Sequence, residues 1–170
     1  GVTQIAASKT LTYSGGTLTP RSNTFAVNGT LAFTNGGAIT YADALTGSGS
    51  ITKSGLGATT FSGNTSAYAG AVSISAGTLV LNDTMSAFSS IANSGTLEFA
   101  HATAKTYAGT LTGSGTLTKS GVGATTFSGT TSAYAGPVNI SAGTLVLNDT
   151  MGAFSSIAVT GTLNFAYGSD

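Results

Sequence analysis

The chain has 170 residues, enough for one ordinary domain with a core, since 41% of them are hydrophobic and only 6% are charged. The five basic and five acidic residues cancel and are scattered singly, which argues against nucleic-acid binding because no basic patch can neutralise phosphates. The sequence has no cysteine, which excludes a disulfide framework.

Two features bear on location. No stretch approaches the apolar length of a membrane-spanning helix, and no basic and apolar leader opens the chain. The chain begins GVTQIAAS rather than with methionine, which is typical of a mature, processed chain or an excised fragment. We therefore expect a protein that does not span the membrane and that lies outside the cell.

Short alternating strands, each opened by a glycine, follow one another along the chain. A degenerate copy (GGTLTP) occupies residues 15–20, and clear copies begin at Gly29, Gly49, Gly77, Gly95, Gly115, Gly143 and Gly161. In the copy opened by Gly77, Leu79 and Leu81 fall on one face of the strand and the residues between them on the other. Helical periodicity is absent, and only residues 84–92 (TMSAFSSIA) offer an alternative turn of helix.

A long repeat contains these units. Residues 45–101 align with residues 111–167 at an offset of 66, and 46 of the 57 pairs are identical. The glycines are spaced 20, 28 and 18 residues apart in each repeat, so three units average about 22 residues. Units this small cannot bury their own apolar faces and must stack on their neighbours. The spacing predicts an all-β parallel β-helix, or β-solenoid, with about 22 residues per coil and with glycines at its corners.

The repeat also sets the expected domain organisation. We expect one β-solenoid domain over residues 1–170, with degenerate coils in residues 1–28. A first repeat block covers 29–94, a second covers 95–160, and residues 161–170 start a further block.

The segment LTGSGTLTKSGVGATTFSGTTSAYAGPVNISAGTLVL (residues 111–147) resembles the autotransporter-associated β-strand repeat of bacterial secreted passenger domains. The positions that match that family's pattern are Leu111, Gly113, Gly115, Leu117, Lys119, Gly121, Gly123, Gly129, Tyr134, Gly136, Ile140, Gly143, Leu145 and Leu147. Residues 45–81 match equally well. The resemblance implies a right-handed parallel β-helix on a bacterial surface, often a stalk or adhesin. The chain departs from the pattern at residues 124–129 (ATTFSG), where Phe127 is the main apolar residue.

Enzymes on this fold need clustered carboxylates, and the acidic residues do not cluster in the sequence. They are Asp43, Asp83, Glu98, Asp149 and Asp170. Asp83 and Asp149 are repeat-equivalent, so they should lie three coils apart, about 14 Å, which is too far for a catalytic pair. We interpret both as turn aspartates that hydrogen-bond their own backbone.

The remaining ionisable groups favour structural interpretations. His101 has Tyr167 as its counterpart in the next copy, which favours a surface position over a base or a ligand. Lys53 and Lys119 are repeat-equivalent, and we expect solvated lysines at exposed strand positions, where they discourage lateral pairing. Arg21 follows Pro20 in the degenerate region and is interpreted as part of an edge or cap.

Two surface hypotheses rest on threonine and tyrosine. The Thr-x-Thr pairs at residues 10–12, 17–19, 110–112 and 116–118 cluster near Gly16 and Gly115, whereas an ice-binding face needs one pair per coil. Tyr41, Tyr68, Tyr107 and Tyr134 recur with the repeat and should form core or corner ladders, although some of them could instead form an exposed stripe for carbohydrate or a partner.

From the sequence we expect no catalytic, cofactor-binding or metal-binding residues. The favoured function is a non-catalytic structural subunit of the bacterial surface or extracellular matrix, which stacks end to end through its terminal coils into a filament or sheath. The alternative is a stalk or passenger segment of an autotransporter-like adhesin, which binds a cell surface or carbohydrate through loops near residues 58–69 and their copy.

Overall fold

The computed structural model describes residues 3–15, 24–82, 88–148 and 153–166. These residues form 21 short strands and no helix. Part of the segment considered as a helical turn, residues 84–87, lies outside the described part of the chain, and Ser90–Asn93 is a strand. No described residue lies in a helix that is long and apolar enough to cross a bilayer.

In chain order the strands are β1 (Thr3–Ile5), β2 (Thr10–Tyr13), β3 (Thr24–Val27), β4 (Thr30–Phe33), β5 (Ile39–Tyr41), β6 (Ala44–Gly47), β7 (Ser50–Lys53), β8 (Ala58–Phe61), β9 (Ala67–Tyr68), β10 (Ala71–Ile74), β11 (Thr78–Leu81), β12 (Ser90–Asn93), β13 (Thr96–Phe99), β14 (Lys105–Tyr107), β15 (Thr110–Thr112), β16 (Thr116–Lys119), β17 (Thr125–Phe127), β18 (Val138–Ile140), β19 (Thr144–Asn148), β20 (Ile157–Val159) and β21 (Thr162–Ala166).

The strands pair in parallel and form four sheets. Sheet 1 has the order β1-β3-β6-β9, sheet 2 β2-β4-β7-β10-β12-β15, sheet 3 β5-β8-β11-β13-β16-β18-β20, and sheet 4 β14-β17-β19-β21. Along the chain, sheet 4 takes the place that sheet 1 holds in the earlier coils, after sheet 3 and before sheet 2. Each coil therefore has three faces: face 1 (sheets 1 and 4), face 2 (sheet 2) and face 3 (sheet 3). The prediction of a parallel β-solenoid is confirmed.

The coil is slightly shorter than the glycine spacing predicts. Paired residues are 18 to 22 positions apart, and 20 is the usual separation, as between Leu31 and Ile51. Three coils of 20 residues are shorter than the 66-residue repeat. Each repeat therefore carries the chain through three coils and past one further corner. Thr30–Phe33 accordingly lies on face 2, whereas its copy Thr96–Phe99 lies on face 3.

The spacing of 28 residues between Gly49 and Gly77 also arises because the repeat passes one further corner. A Cβ on Gly70 would meet the carbonyl of Gly49, and a Cβ on Gly77 would meet the carbonyl of Gly55. Gly49 and Gly77 therefore do not lie directly above one another on successive coils, although the count of three units per repeat assumes that they do. The additional residues between them carry the chain past a corner. The strand that follows Gly49 therefore lies on face 2, and the strand that follows Gly77 lies on face 3.

The core runs along the axis as ladders of inward side chains. Leu79 and Leu81 are buried, and Thr78 and Val80 between them are partly exposed, as the alternation predicted. Leu79 stacks between Thr59 and Leu97 on the neighbouring coils. Parallel strands one coil apart place equivalent side chains directly above one another, so each coil is covered by the next.

Glycine is required at the corners by backbone geometry. Gly77 and Gly143 are repeat-equivalent and have φ of 66° and 65°, in the region that side chains rarely adopt. A Cβ on either would also meet the carbonyl of the coil before, from Gly55 or Gly121.

Candidate functional site

Several groups considered for chemistry lie outside the described residues. They are Pro20, Arg21, Asp83, Asp149, Tyr167 and Asp170. Of the described acidic residues, Glu98 is half-buried and accepts a hydrogen bond from Ser120 Oγ at 2.5 Å. The described residues contain no group of three or more His, Cys, Asp or Glu placed to hold a metal ion.

The two repeat-equivalent lysines lie inside the solenoid. The prediction that Lys53 and Lys119 are solvated is wrong, because both side chains are 0% exposed. Each ammonium donates a hydrogen bond to a corner carbonyl two residues later, that of Gly55 or Gly121. Burial lowers the pKa of both lysines. A corner carbonyl that points into the core needs a hydrogen-bond donor, and the long, inward-facing lysine side chain supplies one.

His101 is also buried, at 1% exposure, so the prediction of a surface position is wrong. Its Nδ1 lies 2.7 Å from the carbonyl oxygen of Thr103, and its Nε2 lies 2.8 Å from Thr125 Oγ1. The carbonyl can only accept, so Nδ1 carries the proton and donates it; in the neutral ring Nε2 then accepts from the threonine hydroxyl. These contacts fit the neutral imidazole.

Asn35 is buried at the position of the preceding repeat that is equivalent to His101. Its Nδ2 donates to the carbonyl of Gly37 at 2.6 Å, and its Oδ1 accepts from Thr59 Oγ1 at 3.0 Å. Gly37 and Thr59 are the counterparts of the two partners of His101. Asn35 Nδ2 also donates to the carbonyl of Ala58 at 3.1 Å. The imidazole therefore keeps the hydrogen bonds to the corner carbonyl and to the threonine, but its single Nδ1–H cannot make both donations of the carboxamide.

This buried network was missed in the sequence although a signal for it existed. Comparing His101 with Asn35 instead of Tyr167 indicates a hydrogen-bonding position, because asparagine and histidine share a donor and an acceptor at similar spacing. A paired threonine follows each of them on the next coil, at Thr59 and Thr125.

The four recurring tyrosines are core residues. Tyr41, Tyr68, Tyr107 and Tyr134 are all at most 2% exposed, so these four do not form an exposed binding stripe. Tyr68 Oη donates to the carbonyl of Gly49 at 2.7 Å, one coil before it. Burial raises the pKa of all four phenols, and that of Tyr134 rises to about 12.

The aromatic rings form matching clusters in the two repeats. Phe61 packs edge to face on Phe33 and Tyr41, with centroids 5.5 and 5.8 Å apart. Phe127 packs in the same way on the equivalent rings, Phe99 at 5.5 Å and Tyr107 at 5.7 Å. Edge-to-face pairs at these separations add to the stability that burial alone provides.

The outward residues of face 2 are small and uncharged. The pairs Thr10/Thr12 and Thr110/Thr112 lie on β2 and β15, the two outermost strands of sheet 2. Serine, threonine and alanine occupy the outward positions of the four strands between them. The pair at 116–118 lies on face 3, and the pair at 17–19 lies outside the described residues. Thr-x-Thr pairs thus do not recur on every described coil.

The segment 58–69 is not a free loop. It contains β8 and β9, and Thr59, Phe61, Thr65 and Tyr68 within it are buried. Its exposed positions are confined to Asn64 and residues 66, 67 and 69.

Two apolar side chains stand out from the corners. Leu56 is 82% exposed and its copy Val122 is 74% exposed. Because the repeat advances by one face, Leu56 lies between faces 2 and 3, and Val122 lies between faces 3 and 1. The two are therefore on different edges and do not form a continuous apolar patch.

The last described coil is covered on one side only. Ile157 and Val159 of β20 continue the ladders of Val138 and Ile140, which are 1% exposed, yet they are themselves 37% and 48% exposed. Phe165 of β21 is likewise partly exposed. Within the described residues, β20 and β21 each pair with a single neighbour. We define this surface, formed by Ile157, Val159 and Phe165, as the end surface.

Comparison with known protein families finds one match. Residues 51–81 and 117–147 match the model of the passenger-associated-transport-repeat family. The two matched segments occupy equivalent positions of the long repeat, and both lie in the parallel β-solenoid, so the resemblance to autotransporter passenger repeats is confirmed. No curated protein and no solved structure matches the chain.

Proposed function

We propose that this chain is a non-catalytic structural protein of the bacterial cell surface or extracellular matrix, a passenger-type β-solenoid whose coils stack end to end with those of further copies. The observation that carries the proposal is the end surface, where inward apolar ladders are not covered by a further described coil. Residues 1–170 act in this proposal as one solenoid domain.

The buried polar groups support a structural role. Lys53, Lys119 and His101 are all committed to hydrogen bonds inside the solenoid. Polar side chains that satisfy inward backbone groups stabilise the corners on which stacking depends. None of the three is placed to meet a substrate, because each is at most 1% exposed.

The end surface supports association with another coil. A further coil over Val159 and Ile157 would bury their apolar surface, and each Å² buried stabilises the contact by about 25 cal/mol. It would also pair the edge of β20 that no described strand covers, and such an edge is a template for a parallel strand. Association through unlike ends does not close on itself, so it extends into a filament or sheath.

The family match favours a second candidate, a stalk or passenger segment of an autotransporter-like adhesin at the cell surface. In that case the end surface is covered by further coils of the same polypeptide. Cell-surface or carbohydrate binding would then use the sides of the solenoid, including the exposed residues between Phe61 and Gly70.

Sedimentation velocity and negative-stain electron microscopy across a dilution series test the first candidate. We expect concentration-dependent fibres of constant width, and we expect Val159→Asp to abolish them because it places a charge in the stacked ladder. Ala158→Asp is the matched control, since Ala158 points outward on the same strand. Discrete short rods at every concentration, or equal loss in both variants, would contradict end-to-end stacking.

A further inference from the structure

The order of the faces along the chain determines where a further strand would lie on the end surface. The chain passes the faces in the order 1, 2, 3, as β3, β4 and β5 do. The last two described strands, β20 and β21, lie on faces 3 and 1, so the next two positions are on face 2 and then on face 3, over β20. The first two described strands, β1 and β2, lie on faces 1 and 2. A second copy fills these positions in order if it is turned by one face, which places its β1 on face 2 and its β2 over β20.

A copy stacked without a turn would leave part of the end surface uncovered. Its β1 would lie over β21 on face 1, and the two positions before it, including the one over β20, would hold no strand. The backbone groups along that edge of β20 would then lack strand partners at the interface, and unpaired buried backbone groups are costly. Pairing therefore favours the turned copy.

The sequence of β2 matches the strand that covers the equivalent of β20 inside the chain. The residues of β20 are the repeat copies of residues in β12, 66 positions later. Inside the chain β12 is covered by β15, with Leu111 paired to Ile91. Residues 10–15 (TLTYSG) match residues 110–115 (TLTGSG) at five of six positions. β2 therefore carries the same first residues, Thr-Leu-Thr, as the strand that covers β12.

The apolar side chains at the two ends of the solenoid complement each other. Ile91 and Leu111, which pair across neighbouring coils, are both 0% exposed. Ile157 is 37% exposed, and Leu11 is only partly buried although it pairs with Leu31 on the following coil. A contact between Leu11 and Ile157 would give each of them the neighbour that its internal counterpart has.

We propose that, given the end-to-end stacking of the proposed function, each copy is turned by one face relative to the copy before it, so that β2 of one copy pairs in parallel with β20 of the other. Leu11 then lies over Ile157, and Thr12 lies beside Ala158 on the outside. Each copy adds about eight coils, or about 40 Å at about 4.8 Å per coil. A turn of one third per copy generates an open helical filament in which every third copy presents the same face on the same side.

Disulfide cross-linking reports this register directly, because the chain has no cysteine of its own. Thr12 and Ala158 are exposed residues of β2 and β20. In the turned stack the Cα atoms of Thr12 and Ala158 from neighbouring copies lie at the spacing of paired strands, about 4.8 Å, which a disulfide can span. Mild oxidation of fibres of the Thr12→Cys, Ala158→Cys double variant should therefore give a series of covalent oligomers on non-reducing gels.

The Gln4→Cys, Asn164→Cys double variant is the matched control. Both residues are exposed, on β1 and β21, and a stack without a turn would bring them together. We expect no covalent oligomers beyond dimers from this pair, and none beyond dimers from the single variants. Oligomers from the control pair in yield equal to or greater than that of the first pair would overturn the turn of one face.

Electron microscopy of the same variants before oxidation separates this proposal from the stacking on which it rests. Fibres with a helical repeat of three copies, about 120 Å, would support the turn, whereas a repeat of one copy, about 40 Å, would contradict it. Fibres without cross-linking of Thr12→Cys to Ala158→Cys would overturn the register and leave end-to-end stacking intact. The absence of both fibres and oligomers would overturn the two proposals together.

Discussion

The corner around Asn35 and the corner around His101 are two versions of one structure, placed on different faces of the solenoid. Both join a ring cluster, a buried lysine and a threonine that donates to the central residue. The first spans faces 2 and 3 and the second spans faces 3 and 1. The packing that a coil needs is therefore local to a corner and its neighbouring coils and does not depend on the face that carries it.

The two corners also differ, and the differences mark the groups that the scaffold can exchange. The central polar residue changes from carboxamide to imidazole and keeps the hydrogen bonds to the corner carbonyl and to the threonine. The second donation of Asn35 Nδ2, to the carbonyl of Ala58, needs an N–H that the Nδ1-protonated ring does not have. Tyr107 Oη donates to the carbonyl of Thr110 at 3.0 Å, whereas the buried Tyr41 Oη has no partner among the described residues. Ring packing is kept in both, so we expect apolar contacts to dominate the stability of each corner.

The largest effect is expected when the matching ring clusters are truncated. Phe61→Ala and Phe127→Ala should each lower the free energy of unfolding by about 3–5 kcal/mol, because each leaves a cavity between two edge-to-face rings. Urea denaturation followed by circular dichroism measures both. Leu56→Ala is a control, because this side chain is mostly exposed and should change stability little. A large difference between the two phenylalanine variants would show that the corners are not equivalent in energy.

A smaller effect is expected at the glycines where successive coils approach closely. Gly55→Ala and Gly121→Ala should each cost about 1–3 kcal/mol, because the added Cβ meets the carbonyl of Asn35 or His101 and forces the coils apart. Gly36→Ala is the control, since a Cβ there meets nothing within 4 Å. Thermal unfolding of the three variants gives the comparison, and a loss of stability in Gly36→Ala equal to the other two would contradict the steric explanation.

The buried tyrosines should resist ionisation in both repeats as long as the solenoid is folded. In the unfolded chain tyrosine ionises at about pH 10, whereas burial raises the pKa of Tyr134 to about 12 and that of Tyr68 still further. Stability is therefore lost as the pH rises above about 10, because only the unfolded state releases these protons. Tyrosinate absorbance near pH 11 should be lower for the native chain than for the denatured chain. Equal absorbance with circular dichroism still native would show that the rings are accessible.

The smallest change in stability is expected from a tyrosine hydrogen bond that is described in only one of the two corners. Tyr107→Phe removes a buried hydrogen bond and should lower the free energy of unfolding by about 0.5–1.5 kcal/mol. Tyr41→Phe removes a hydroxyl without a described partner and should leave stability unchanged or slightly raised. Each serves as the control for the other in chemical denaturation, and the order of the two values is the result that matters.

Much of the fold followed from local pattern. The alternation in GTLVL predicted that Leu79 and Leu81 face inward, and glycine at the corners followed from the spacing of the units. The lysines and the histidine were misplaced because their burial depends on partners that local pattern does not reveal. Lys53 needs a corner carbonyl turned inward, and His101 needs the hydroxyl of Thr125 on the next coil.

The sequence by itself determined that this chain forms stacked parallel coils with leucine and phenylalanine ladders, because side chains alternate along a strand and each unit is too small to bury its own apolar face. Only the tertiary structure decided where each copy of the repeat lies. The long repeat is not a whole number of coils, so the second copy begins one face further round the axis. The same closure of the coil turned the polar side chains of Lys53, Lys119 and His101 inward, where backbone groups and a neighbouring threonine satisfy them.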